Sequence, residues 1–274
     1  MSIICRRASS SLTSNTSTVT ALTPTITLLR SATSEIYLIG TAHISKKSVE
    51  EVRDTIQLVK PDKVFLELCE GRARAMRRGD ETSAASSTDF QHLKSMASSA
   101  MAMMSMGGSV QSAMGSFQGI NPDSIFKMMG FQPGKEFRVA MAEADLIDAK
   151  IINGDIDVNV TLAGVKSSLP QINLLLATAT PMPQVLQTMI QKTMKSGGNV
   201  SNSLNPESLK TREHASSIRK YVSTAVPPIA EVILHNRDRY MASQLKQHCN
   251  NGKVVAVVGI AHLEGLIIEW EKLN

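Results

Sequence analysis

Apolar and polar positions along this chain follow two periods, and the switches between them mark the elements. Thr25-Ile26-Thr27-Leu28-Leu29 alternates with period two, and Glu35–Gly40 is a second apolar run. Together they predict a β-hairpin that turns through Arg30–Ser34. The period then changes, because Val49, Val52, Ile56 and Val59 share one helical face. Ser45 and Ser48 with Glu51 give a capping signature, so residues 45–60 predict an amphipathic helix. Pro61-Asp62 ends it, and Lys63–Leu68 reads as a buried strand that completes a βαβ unit. Glu70–Arg78 reads as helix, and so does Gly134–Ala149, with Phe137, Ala140, Met141 and Ala144 on one side.

A strand follows at Lys150–Asn153, then a loop at Gly154-Asp155-Ile156-Asp157. Helices are predicted over Leu169–Lys195 and Leu209–Thr224, with a Gly/Asn/Ser linker at about 197–205. Pro227-Pro228 starts a long helix to His248, since proline suits a first helical turn. Asn250-Asn251-Gly252 forms a turn, Lys253–Gly259 the last strand and Leu263–Glu271 the closing helix. The fold class is therefore α/β: a mixed or largely parallel central sheet flanked by helices, with a mainly helical middle region. A Ser/Met-rich insertion over 79–120, disordered or helical, lies outside the core, and a short helix over Asn121–Met129 follows it.

Composition narrows the function classes. The 274 residues suit one large α/β domain, and 42% hydrophobic content with 4% aromatics suits an aliphatic core under helices. A net charge of +5 with scattered basic residues gives no case for nucleic acid. The one basic cluster, Arg72, Arg74, Arg77 and Arg78, reads first as a solvated helix face and second as a contact for an anionic surface. Cys5, Cys69 and Cys249 have no CxxC spacing, which points to a reducing compartment. Residues 1–34 are Ser/Thr-rich, with Arg6, Arg7 and Arg30 and no acid. That is transit-peptide composition or a plain tail, ending at about residue 20, with the folded domain over 21–274. Neither 95–122 nor the proline-broken 169–190 is apolar enough to span a bilayer. No phosphate-binding glycine motif occurs, so no nucleotide cofactor is expected.

Candidate chemistry centres on a phrase that occurs twice. Gly40-Thr41-Ala42-His43 and Gly259-Ile260-Ala261-His262 each follow an apolar strand and precede a helix. Equivalent ends of neighbouring parallel strands lie side by side, and ligands bind beyond the carboxyl ends of such strands. Gly40 and Gly259 would let the chain leave each strand tightly and turn backbone N–H groups toward a bound group. Glu67, in the apolar run Phe65–Leu68, needs a partner there, and Arg72 is the nearest in sequence. Two imidazoles and a carboxylate match a catalytic divalent-metal site, whereas a single strand-end histidine is by default a structural hydrogen-bonding residue. Glu136 at a helix start could serve the helix dipole, and Asp155 a turn. Arg237, Asp238 and Arg239 read by default as a charged helix face, and His92, His214, His235 and His248 as surface residues.

These residues carry a resemblance. Ile39–Ser45, Pro61–Cys69 with Arg72, Gly134-Lys135-Glu136, Asn236–Met241 and Val258–His262 together resemble the TraB family. That family includes the PrgY pheromone-shutdown proteins and is similar to the Tiki metalloproteases. The resemblance runs from about Ile36 to Leu266. It implies an α/β domain and a Mn-, Co- or Zn-dependent hydrolase acting on a peptide or amide-like small molecule. His43 and His262 would be the metal ligands, with Glu67 and Glu136 as acidic partners, one of them the general base. Gly40, Gly259, Arg72, Asp155, Arg237 and Asp238 would support them. It also implies a mitochondrial or other organelle location, outer-membrane associated, with cytoplasmic placement as the alternative. A non-catalytic interaction or regulatory protein at an organelle contact is the second reading. The chain departs from the family at Asn236, where glutamate is usual, and at Ile156, where arginine is usual. It also ends without the C-terminal membrane segment of some relatives.

Overall fold

The computed structural model describes residues 17–41, 46–79, 134–188 and 211–273. The expected insertion from residue 80 on, the helix at 121–129, the linker near 197–205 and His43 itself fall outside these residues. Six strands form one sheet in the order β1-β2-β3-β6-β4-β5. They are β1 (Thr18–Ala21), β2 (Ile26–Arg30), β3 (Ser34–Thr41), β4 (Lys63–Leu66), β5 (Lys150–Asn153) and β6 (Gly252–Gly259). The first three pair antiparallel, whereas β3/β6, β6/β4 and β4/β5 are parallel. The predicted hairpin is β2–β3. The exposed strand β1, which no pattern signalled, adds an edge over residues that the expected tail reaches.

Helices cover both faces, and the two-residue period of the strands decides which residue meets which helix. Val255 and Val257 of β6 join Val52 and Ile56 of α1 (Lys46–Val59) and Phe137, Ala140 and Ala144 of α3 (Lys135–Leu146) in one core. Val254, Ala256 and Val258 face the other way. There they pack on Met241 and Leu245 of α8 (Asn236–His248) and on Leu263, Leu266 and Trp270 of α9 (Ile260–Lys272). Each large side chain buried this way contributes about 1.5–3 kcal/mol, so the two layers together fix the sheet between the helices. Gly252 has φ +73°, and a Cβ there would stand 2.4 Å from Asp62 Oδ2, so the predicted Asn-Asn-Gly turn needs its glycine.

The middle of the chain differs from expectation. Helix α2 (Glu70–Arg77) is as predicted, but α4 (Val158–Ser168) occupies a stretch that carried no helix signal. The continuous helix expected from Leu169 is instead a short 3-10 turn at Leu169–Gln171 and then α5 (Leu174–Ala179). Pro170, Pro181 and Pro183 cannot donate backbone hydrogen bonds and clash with the preceding turn, which explains the breaks. Helix α6 (Arg212–Ala225) follows. The long helix is present as α7 (Pro227–Ala230), a π-helical turn at Glu231–His235 and then α8. Single π turns in longer helices occur frequently at functional sites.

Candidate functional site

Three parallel strands deliver their ends to one place. Glu67 N–H donates to Val257 O (3.1 Å), Gly154 N–H to Leu66 O (2.9 Å) and Asp155 N–H to Leu68 O (3.2 Å). These bonds align the residues just past β4 and β5 with the end of β6. A Cβ on Gly154 would stand 1.8 Å from the Phe65 ring, so only glycine lets β5 turn against β4 here. On the other side β3 and β6 are neighbours in register, Thr41 opposite Gly259. The Gly-x-x-His phrases therefore begin side by side, as the parallel-sheet argument requires.

Glu67 is completely buried. Its Oε2 accepts the Gly259 N–H at 2.6 Å and its Oε1 accepts from Arg237 Nη2 at 2.5 Å. The glycine of the second phrase thus turns its N–H toward a carboxylate of the protein itself. Arg237, expected on a charged helix face, is 1% exposed and also donates Nε to Asp155 Oδ1 (3.0 Å) and Nη2 to Asp155 Oδ2 (2.8 Å). Burial works against its charge, but the Asp155 and Glu67 carboxylates outweigh burial and hold the guanidinium more firmly protonated than usual. The partner expected for Glu67 from sequence, Arg72, feels the Glu67 charge and reaches Asp155 Oδ2 at 3.4 Å. Arg72 is buried, not on the solvated face assigned to its cluster. Burial pushes its pKa down, and Asp155 opposes the fall. Asp155 is therefore a bridge between two guanidinia rather than a simple turn residue.

His262 lies in the first turn of α9 and is 1% exposed. Its Nδ1 is 2.7 Å from Asp238 Oδ1, and its Nε2 is 3.4 Å from Glu67 Oε1 without a hydrogen bond. An ionised Asp238 accepts the Nδ1 proton, and Nε2 faces a carboxylate oxygen on the other side of the ring. Asp238, also buried, meets a further cation, Arg219 Nη2 at 2.6 Å from its Oδ2. The same nitrogen directs an N–H at His235 Nδ1 (3.1 Å), while Arg219 Nη1 donates to Ala261 O (3.2 Å). His235, expected at the surface, is half-buried, and burial first and Arg219 second lower its pKa from 6.5.

The cluster holds three carboxylates (Glu67, Asp155, Asp238) matched by three guanidinia (Arg72, Arg219, Arg237), with His262 among them. Among the described residues, no group of three His, Cys, Asp or Glu side chains stands in a metal-holding arrangement. Glu136 is buried in the first turn of α3, the helix that packs on β4. Arg219 and His235 were missed as site residues. Arg219 sits on the face of α6 between Ala215 and Val222, and a charge on that apolar stripe was the signal available.

The TraB/PrgY/gumN family pattern matches residues 26–267, nearly the whole described fold. The chain belongs to that family. This TraB/PrgY/gumN chain is 26% identical over 241 residues to an uncharacterized protein of Methanocaldococcus jannaschii, covering 88% of the chain and 54% of that relative. It is 24% identical to the TraB domain-containing proteins of Homo sapiens, over 259 residues, and of Bos taurus, over 267. Each alignment covers 86% of the chain and 63% of the relative, so the chain spans rather more than half the length of the relatives it matches. No helix among the described residues is long and apolar enough to cross a membrane.

Proposed function

We propose that this protein is a metal-dependent hydrolase of amide-like substrates whose working centre lies beyond the ends of β3, β4 and β6. The observation that carries the reading is His262 Nε2: buried, without a hydrogen bond among the described residues, and 3.4 Å from Glu67 Oε1. A buried nitrogen lone pair opposite a carboxylate oxygen is unfavourable until a cation or proton comes between them. His262, Glu67 and His43, which follows β3 by two residues, would hold a divalent ion. Such an ion would polarise a substrate carbonyl and make a water molecule acidic enough to attack at neutral pH.

The chain's own residues do the rest. Asp238 holds His262 in the tautomer that presents Nε2. The Gly259 N–H and Arg237 fix the Glu67 carboxylate, and Arg237 must share Oε1 with an incoming ion. Glu136 is the remaining acid for a general base. The substrate class, a peptide or amide-like small molecule, rests on the family resemblance.

The test is metal analysis of the purified protein beside a His43→Ala/His262→Ala double mutant. Stoichiometric Mn, Co or Zn in the wild type, lost in the mutant, is the expected result. No metal in either protein refutes the hydrolase reading. That outcome favours the second reading, an interaction protein of a mitochondrial surface, for which Arg237 already neutralises Glu67. Fusing residues 1–34 to a reporter tests the location, and a diffuse cytosolic signal counts against it.

A further inference from the structure

Behind His262 the structure continues outward through side chains that the proposed chemistry does not touch. Ser223 Oγ lies 3.1 Å from His235 Nε2, His235 Nδ1 lies 3.1 Å from Arg219 Nη2, and Arg219 Nη2 lies 2.6 Å from Asp238 Oδ2. Asp238 Oδ1 closes the series on His262 Nδ1. The donor roles follow from chemistry. A guanidinium only donates, so His235 Nδ1 accepts and His235 Nε2–H donates to Ser223. Arg219 thus donates outward to His235 and forms an ion pair inward with Asp238, which accepts the Nδ1 proton of the buried imidazole.

An independent feature marks the same spot. Gly265 lies inside α9, where glycine costs about 1 kcal/mol relative to alanine. A Cβ there would stand 2.1 Å from Asp238 Oδ2 and 2.4 Å from Arg219 Nη2. The helix gives up a good helix former at the point where the ion pair presses against it. Both obstructing atoms are side-chain ends, so an alanine displaces the pair without moving the backbone.

We propose that Arg219 is a positioning residue, seated on Gly265 and steadied by His235, that holds Asp238 so that His262 keeps Nδ1 protonated and Nε2 bare. The proposal rests on the reading of His262 Nε2 as the working nitrogen. Removing the guanidinium leaves Asp238 buried with one cationic partner fewer. Its carboxylate is then free to rotate, and the single arrangement at Nδ1 is lost.

The test uses the full chain, stripped of metal and labelled with 15N-histidine, and reads two-bond 15N–1H spectra with His262→Gln for assignment. Wild type should show Nδ1 protonated and Nε2 bare. Gly265→Ala and Arg219→Met should both lose that pattern, and Arg219→Lys should restore part of it by returning a cation to Asp238. Where the wild type binds Mn(II), its affinity should fall about 10–100-fold in the first two variants, the usual effect of losing a group behind a ligating histidine. Gly265→Ala removes no charge, and a urea melt run beside the spectra separates a general loss of stability from loss of the His262 pattern in the folded protein. Should it prove insoluble, His235→Ala carries the same test, since it takes away the second acceptor of Arg219 Nη2. An unchanged His262 pattern in Arg219→Met and Gly265→Ala overturns the proposal, as does a wild-type His262 protonated at Nε2 alone. A wild type that binds no Mn(II) while the variants still lose the pattern overturns the hydrolase reading and leaves the positioning role standing.

Discussion

Arg237→Met is the substitution whose cost the structure defines most sharply. The guanidinium joins α8 to the ends of β4 and β5, donating to Glu67 once and to Asp155 twice from a position 1% exposed. Methionine fills much of the same volume, so the loss is electrostatic rather than a cavity. Asp155 keeps Arg72 at 3.4 Å, but Glu67 loses the cation at its Oε1 and stays in a site of zero exposure. Breaking a buried pair from one side costs about 3–5 kcal/mol, because the other charge stays buried without its closest counter-charge. At a urea slope of about 3 kcal/mol per molar, the midpoint should fall by about 1–2 M. The double variant Arg237→Met/Glu67→Gln should recover part of that loss, since the amide carries no charge and can still accept the Gly259 N–H. A coupling of about 1–3 kcal/mol is expected from the cycle. Additive effects, or a cost below about 1 kcal/mol for Arg237→Met alone, would refute the picture of a desolvated ion pair.

Two further outcomes follow from particular contacts. Gly154→Ala places a Cβ 1.8 Å from the Phe65 ring, so the melting temperature should fall by an amount equivalent to about 1–3 kcal/mol; an unchanged melt would mean that β4 and β5 are not clamped at Gly154. His235 has its pKa lowered from 6.5 by burial and by Arg219, so the unfolded chain takes up the proton first as pH falls. The stability contributed by its neutral form is complete above pH 6.5 and drains away as pH falls toward the lowered value. Urea midpoints across that range should therefore slope less in His235→Gln than in wild type, and equal slopes would dismiss this account.

The strands were legible from their periods, but their order was not, since β6 lies between β3 and β4, the two strands of the predicted βαβ unit. One alternating run and one apolar run predicted the hairpin, and helices between apolar strands predicted the parallel half. The helical middle was less legible, since tertiary contacts rather than period set α4, and three prolines broke a stretch that reads as uniformly apolar. At the site, position could be read but partnership could not. Glu67 visibly needed a counter-charge, and the nearest arginine in sequence was Arg72. The fold adds Arg237 in direct contact, from a helix that begins after the π turn. A charged triplet such as Arg237-Asp238-Arg239 looks alike on a solvent face and at a buried crossing. Only the sheet's end shows that the first two point in while Arg239 pairs with Glu231 outside.

The composition of the cluster argues that it is there for chemistry rather than cohesion. Buried ion pairs return about what their desolvation costs, and apolar replacements of similar volume are often equally stable or better. A protein selected only for this sheet would do as well with a hydrophobic plug at the ends of β4, β5 and β6. Instead six ionised side chains from three helices and two strand ends form one cluster that reaches the His262 imidazole through Glu67 and Asp238, with Gly265 leaving room for Arg219 and Asp238. Stability and activity should therefore separate here. Arg237→Met/Glu67→Gln removes the balanced pair and regains stability, yet it deletes the carboxylate that faces His262 Nε2, and whatever His262 does should be lost with it.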